Sequence, residues 1–444
     1  MYLERDGKFW EIEKTARTLT TRSGLVGSKG TTKKDSFKGD ALAYQAYTKL
    51  LAAKRKAGFR DPTKALPVST APREPALEAA LRADRNDPAA YDVYADWLEA
   101  HGNALGELIG LQRALATKKD ASKTKREKAL VKAHGFPIPK LMSVVWKWGF
   151  WDQLRLENNE DWMDGNFDAQ ELAKFAFSHT ACAALRELRL GILRWEHNSL
   201  DVPAVLAEAK RHAWAGDLEV LVLGDVGRNI DMAHHVVGRV GAAVSAAFPK
   251  LRDLKIHSSE QPWDGRNTFG IAGLDLPLLE KLVIETISFS KQRAKELLAA
   301  NLPKLTELEL WIGTPDYEGD AKLSNIAPLL AGKTFPNLTK LGVCNAQFEG
   351  ELAREIHESP LARQLTELNL SKGTLDDDDA AVLASNARFF PKLAVLDVSD
   401  NYLTRDGTNA LKQAFKRVEL RMKDQRADEI DEDDDGDRYV AISE

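Results

Sequence analysis

The chain has 444 residues, 43% of them hydrophobic and 29% charged, and a formal net charge of −5. This length calls for several domains or a repeat array, and the apolar content excludes a disordered chain. No apolar run approaches the roughly 20 residues that cross a bilayer, the opening Met1–Asp6 lacks a signal-peptide layout, and two distant cysteines, Cys182 and Cys344, argue against a disulfide framework, so a cytoplasmic protein is expected.

Charge is unevenly distributed. Residues 1–64 hold 15 Lys/Arg against 7 Asp/Glu, whereas the segment from Asp424 to Asp437 is dominated by acid. Within the first 60 residues, Phe9–Ile12 and Thr18–Thr21 read as short half-buried strands, punctuated by Gly24, Gly27 and Gly30. From Gly39 onward, Leu42, Ala43, Ala46, Tyr47, Leu50 and Leu51 recur at helical spacing, Lys54, Arg55 and Lys56 close the last turn, and Gly58 stops the helix.

This order, with Lys8–Ile12, Arg22–Gly27, Ser36-Phe37 and Lys54–Phe59, resembles the WGR domain over residues 1–60. The resemblance implies a small sheet-plus-helix module that, in poly(ADP-ribose) polymerases, helps bind broken DNA ends. The namesake triplet here is Ser23-Gly24-Leu25, so the tryptophan and arginine expected to stack and to reach phosphates are absent. Lys29, Lys33, Lys34 and Lys38 either neutralise nucleic-acid phosphates or form a solubilising face.

Pro62, Pro67, Pro72 and Pro75 mark a linker over 61–75. Beyond it, Leu77, Ala80 and Leu81 predict one helix, and Tyr91, Tyr94, Ala95 and Leu98 a second, started by Asn86-Asp87-Pro88; Glu107–Gln112 belong to a third. The run Tyr91–Asn103, followed by Gly106–Gln112, resembles a short repeat-companion domain that accompanies leucine-rich repeats in bacteria. That resemblance implies no chemistry, and Trp97 is expected to pack between helices while Asp96 and Glu107 cap or pair locally. A basic helical stretch follows, with Lys118, Lys119, Lys123, Lys125, Arg126, Lys128 and Lys132, readable as a solvated connector or as a contact for an acidic partner. The aromatic run Val144–Trp151 suits the open end of an array whose first unit has no neighbour.

From residue 151 to 422 one phrase, L-x-x-L-x-L, recurs at Trp151, Leu185, Leu218, Leu251, Leu279, Leu305, Leu338, Leu365 and Leu393. Each copy is followed by a segment of helical periodicity, such as Ala204–Ala209 or Ala380–Ala384, and Pro249, Pro303, Pro336 and Pro391 end helices just before strands. This resembles the ribonuclease-inhibitor class of leucine-rich repeat, most closely at Leu393–Leu403 with its Asn401. The resemblance implies an α/β solenoid with parallel strands on a concave face and helices on the convex face. The expected layout is therefore a WGR-like domain (1–60), a helical companion domain with its connector (76–150), a solenoid (151–422) and an acidic tail (423–444).

Strand alternation sends the leucines inward and the residues between them outward. The candidate partner-binding row is Arg155, Arg189, Val220, Val222, Lys255, His257, Lys281, Glu285, Glu307, Glu309, Trp311, Lys340, Glu367, Asn369 and Asp397, and Cys344 falls on the same face. Mixed signs argue for a protein partner over a polyanion on this face. Trp311 reads either as a binding hot spot or as a side chain packed on its neighbours.

Other motifs carry no chemistry. Asp376–Asp379 suit a helix start. Asp431, Asp433 and Asp435 imitate a calcium loop, but its twelfth position is Ile442. His212, His234, His235, His257 and Cys344 lack metal-ligand spacing, and no phosphate loop, dinucleotide fingerprint or nucleophile elbow is present. The expectation is a non-enzymatic interaction protein without cofactor, with a nucleic-acid-linked regulator or an inhibitor of an enzyme or toxin as the alternatives.

Overall fold

Apolar–polar alternation over the first 36 residues produces, in a computed structural model of the chain, a four-stranded antiparallel sheet in the order β1-β2-β3-β4. The structure describes residues 1–59, 71–133, 141–157, 169–191, 201–226, 235–260, 268–317, 319–429 and 437–442. The chain divides into two compact units, Met1–Val68 and Ser69–Glu444.

In the first unit β1 (Tyr2–Arg5), β2 (Lys8–Thr15), β3 (Thr18–Leu25) and β4 (Thr31–Ser36) precede helix α1 (Asp40–Lys56). Asp6 and Gly7 both take positive φ, 49° and 71°, which matches the twist of a tight hairpin between β1 and β2. Leu3, Trp10, Ile12 and Leu19 from the sheet and Leu51 from α1 form the core. The strands run longer than the apolar clusters alone predict. Gly24, expected in a turn, lies inside β3 opposite Phe9, where a side chain would press on Gly30 and on the Phe9 ring.

The second unit begins with α2 (Pro75–Ala83), α3 (Pro88–Ala100), α4 (Leu105–Thr117) and α5 (Ala121–Ala133). Proline stands at the first position of α2 and α3, and Glu74 and Asp87 cap the free N–H groups behind it. Of the linker residues, Pro62 and Pro67 lie outside the described residues. Trp97 is half-buried and stacks on His101, while Glu107 forms a two-point pair with Arg126.

An 11-stranded sheet, parallel except at its first strand, occupies the rest of the unit. Its strands are β5 (Met142–Lys147), β6 (Phe150–Leu156), β7 (Glu187–Leu190), β8 (Val220–Leu223), β9 (Asp253–His257) and β10 (Lys281–Glu285). They continue as β11 (Glu307–Gly313), β12 (Lys340–Ala346), β13 (Glu367–Asn369), β14 (Val395–Asp397) and β15 (Glu419–Arg421). Strand order follows chain order throughout, so each strand hydrogen-bonds to the next copy of the phrase. The aromatic run is a hairpin: β5 pairs antiparallel with β6, and Trp148 and Gly149 turn between them at φ 46° and 83°. Tyr91 and Tyr94 of α3 pack on Phe150, and Tyr91 also meets Trp148 edge to face.

Helices α6 (Ala169–Ser178), α7 (Asp201–Ala209), α8 (Gly241–Ala247), α9 (Lys291–Leu298), α10 (Leu323–Leu330), α11 (Glu349–Glu355), α12 (Asp377–Ser385) and α13 (Arg405–Ala414) lie between strands. Every phrase leucine from Leu185 to Leu396 is buried, and each such side chain stabilises the fold by roughly 1.5–3 kcal/mol. Seven residues after the phrase begins, the last repeats turn through the left-handed region at Asn345, Lys372, Asp400 and Asp424, with φ of 53°, 72°, 63° and 55°. Two arginines join the helical segment to the sheet. Arg82 pairs with Asp217 at 2.8 Å, and buried Arg85 donates to the carbonyls of Ala184, Leu185 and Asp217 and to Glu219. No helix among the described residues is long and apolar enough to cross a membrane.

Candidate functional site

Parallel register aligns the residues between the leucines into two rows that cross the sheet. One row runs Gln153, Glu187, Val220, Asp253, Lys281, Glu307, Lys340, Glu367, Val395 and Glu419. The other runs Arg155, Arg189, Val222, Lys255, Val283, Glu309, Gly342, Asn369, Asp397 and Arg421. Ten strands at about 4.8 Å spacing span on the order of 40 Å, long enough for a standard protein interface.

Charges on this face pair with one another in three groups. At the β6 end, Asp225 accepts from both Arg155 (2.7 Å) and Arg189 (3.1 Å), Arg155 also pairs with Glu157, and Arg189 with Glu187 (2.6 Å). In the middle, Glu285 receives Lys255 (2.6 Å) and His257 Nδ1 (3.1 Å). Burial alone would raise the Glu285 carboxyl, but those two donors outweigh it and hold it below the ordinary glutamate value. Toward the other end Glu307 sits between Lys281 (2.5 Å) and Lys340 (3.3 Å), and Glu367 between Lys340 (3.7 Å) and Arg421 (3.5 Å). Glu307 is likewise lowered, its burial being overcome by the two lysines, and Lys281 is raised.

Trp311 lies at the far end of β11 and is half-buried. Its indole Nε1 donates to Glu309 Oε1 at 2.8 Å, Glu309 Oε2 accepts from Asn369 at 3.4 Å, and the Lys372 ammonium stands 5.7 Å from the ring centroid. Lys372 in turn pairs with Asp400 at 3.0 Å. The tryptophan is therefore held in one orientation while part of its surface stays open.

Several residues placed outward by alternation are covered, Glu187 and Val283 among them. Val222 is 5% exposed, Glu285 9% and Cys344 1%. Val222 falls in register between the long side chains of Arg189 and Lys255, and Glu285 lies beneath Lys255 and His257. Cys344 is in register with Trp311 and lies 3.8 Å from Ser371 Oγ. Of the two candidate valines, Val220 alone stays half-exposed.

Asp225, Lys372, Asp400 and Arg421 complete these networks and were not expected from the phrase. The first three share one signal, the seventh position after each phrase begins; Arg421 lies on a strand whose phrase keeps only Leu420 of its leucines. Two of the four consecutive aspartates, Asp377 and Asp379, bridge successive helices. Asp376 caps α12, Asp377 accepts from Thr404 and Gly407 at the start of α13, and Asp379 pairs with Arg354 at 2.6 Å. The calcium-like run 431–435 and His234 lie outside the described residues.

Of the lysines in the first unit, Lys33 pairs with Asp35 at 2.8 Å, while Lys29, Lys34 and Lys38 are exposed and form no ion pair among the described residues. Leu25 and Val26, where the namesake triplet ends, are exposed.

Residues 3–65 match the family described as the WGR domain, so the chain carries a WGR domain at its N-terminal end. A crystal structure of a Bacteroides fragilis protein is similar over 96% of this chain and 95% of its own, with a TM-score of 0.53 and 19% identity. At that identity the likeness speaks to fold alone. No curated protein matches the sequence.

Proposed function

We propose that residues 151–422 form a leucine-rich-repeat solenoid of the ribonuclease-inhibitor kind, and that its concave face binds a protein partner without catalysing a reaction. The observation that carries this reading is the Trp311 arrangement within an ordered row of paired charges. A partner meeting such a face orders few new side chains, which limits the entropic cost of association. An aromatic anchor surrounded by satisfied polar groups has the composition of a binding hot spot. The alternation of signs along the row supports a protein surface as ligand, because a polyanion favours a mainly basic row. Affinity capture from the native host supplies the partner, and hydrogen exchange of the complex tests the face: slowed exchange in β9–β12 is expected. Protection confined to the helices would remove the reading.

A second reading, a nucleic-acid-linked regulator, is favoured by Lys29, Lys34 and Lys38, which remain without ion pairs among the described residues. Three phosphates neutralised by these lysines give a log–log salt slope of about −2.7, so affinity for nicked duplex DNA falls roughly 40-fold between 50 and 200 mM salt. A gel shift with the full chain and with its triple alanine variant decides this; retardation that is absent, or equal in both, removes it.

A further inference from the structure

Residues 437–442 are seated along the end of β12 and the turns that follow β13 and β14, and most of the contacts read their main chain. Asn345 engages both peptide groups of Ile442: its Nδ2 donates to the carbonyl at 2.7 Å and its Oδ1 accepts the N–H at 2.9 Å. The Lys372 carbonyl accepts Ala441 N–H at 2.8 Å. Tyr402 Oη accepts Tyr439 N–H at 3.0 Å and donates to its carbonyl at 3.1 Å, and Arg426, packed on the Tyr402 ring, donates to the same carbonyl at 2.8 Å. Side chains of the segment add to this: Val440 is 4% exposed, and Arg438 pairs with Asp376 at 2.5 Å.

The stations are spaced by the repeat. Asn345 and Lys372 are left-handed turn residues at the same position of successive phrases, and Tyr402 lies just beyond Asp400, the next such position. A side-chain amide that pairs with both N–H and C=O of one residue recognises any non-proline residue, so the surface selects a backbone conformation more than a sequence.

We propose that this row is a peptide-binding groove occupied in cis by residues 437–442. The partner it fits is a peptide segment of another protein with a basic residue followed two positions later by an aliphatic one, as in Arg438-Tyr439-Val440. Such a peptide displaces the chain's own segment. The inference is independent of the reading of the sheet face, although Lys372 takes part in both: its carbonyl receives the segment and its ammonium covers Trp311.

The test uses the full chain carrying Val440→Asp and Ala441→Pro, which removes the buried side chain and the N–H given to Lys372. A fluorescein-labelled peptide of residues 437–444 is titrated by anisotropy. A tethered segment competes at an effective concentration up to the millimolar range, so the peptide is expected to bind the double variant at least tenfold more tightly than the unaltered chain. Adding Asn345→Ala to the variant should weaken that binding at least tenfold. Equal affinity for variant and unaltered chain, or indifference to Asn345→Ala, overturns the proposal. Hydrogen exchange of the unaltered chain gives a reading that does not depend on the variant folding: the amides of Tyr439, Ala441 and Ile442 are slowed if the segment is seated, and exchange at the unstructured rate overturns the proposal.

Discussion

Trp311 Nε1 donates to Glu309 Oε1 at 2.8 Å, from two positions further along the same strand face. The bond orients the indole across β12, whose Cys344 is its register partner, and leaves the ring's remaining surface beside Lys372. Around this pair most charges of the face are matched by a neighbour of opposite sign.

Arg85 is expected to hold the helical segment to the sheet. It is buried, and its guanidinium donates to three carbonyls of the sheet region and to Glu219. Arg85→Ala leaves those acceptors without donors and should cost about 3 kcal/mol or more, read from denaturant unfolding. Arg85→Lys cannot reproduce the fork and should recover only part of the loss.

Acid should weaken the fold through His235. Its folded pKa is lowered to about 3 by burial, with His257 adding to the effect, against an ordinary 6.5. Between those values the unfolded chain binds more protons than the folded one, so the stability His235 contributes is complete above pH 6.5 and is lost as pH falls toward 3. The slope is at most about 1.4 kcal/mol per pH unit. Unfolding free energies measured from pH 7 to 4 should decline, and His235→Gln should flatten that decline by up to one proton.

Glu349 and Gly373 should prove coupled. The buried Glu349 carboxyl accepts the N–H groups of Ala346 (3.1 Å) and Thr374 (2.9 Å), and a Cβ at position 373 would fall on Glu349 Oε2. Gly373→Ala is expected to destabilise by about 1–3 kcal/mol. Combined with Glu349→Ala, the double variant should cost less than the sum of the singles, because each removes the same fit. Strict additivity in thermal unfolding would count against this contact.

The leucine phrase made the parallel strands, their order and their register readable, because its spacing repeats one strand-and-turn unit. Two strands escaped it for identifiable reasons. β5 pairs antiparallel and its Val144–Trp146 run reads equally as an end cap, while β15 keeps only Leu420 of the phrase leucines. Burial of Val222, Glu285 and Cys344 was not readable, since it depends on long side chains contributed by neighbouring repeats about 30 residues away. Glu349 escaped for a similar reason: its place is defined by backbone N–H groups of two turns, which no residue type announces.

Binding of a protein by the sheet face through Trp311 is checked by the dissociation constant of the captured partner for the unaltered chain and for Trp311→Ala. Exposed Lys392→Ala serves as a control away from the face. A loss of at least about tenfold is expected for Trp311→Ala, the scale of a hot-spot side chain, with the control unchanged. A Trp311→Ala variant that stays folded and binds within twofold of the unaltered chain would contradict it.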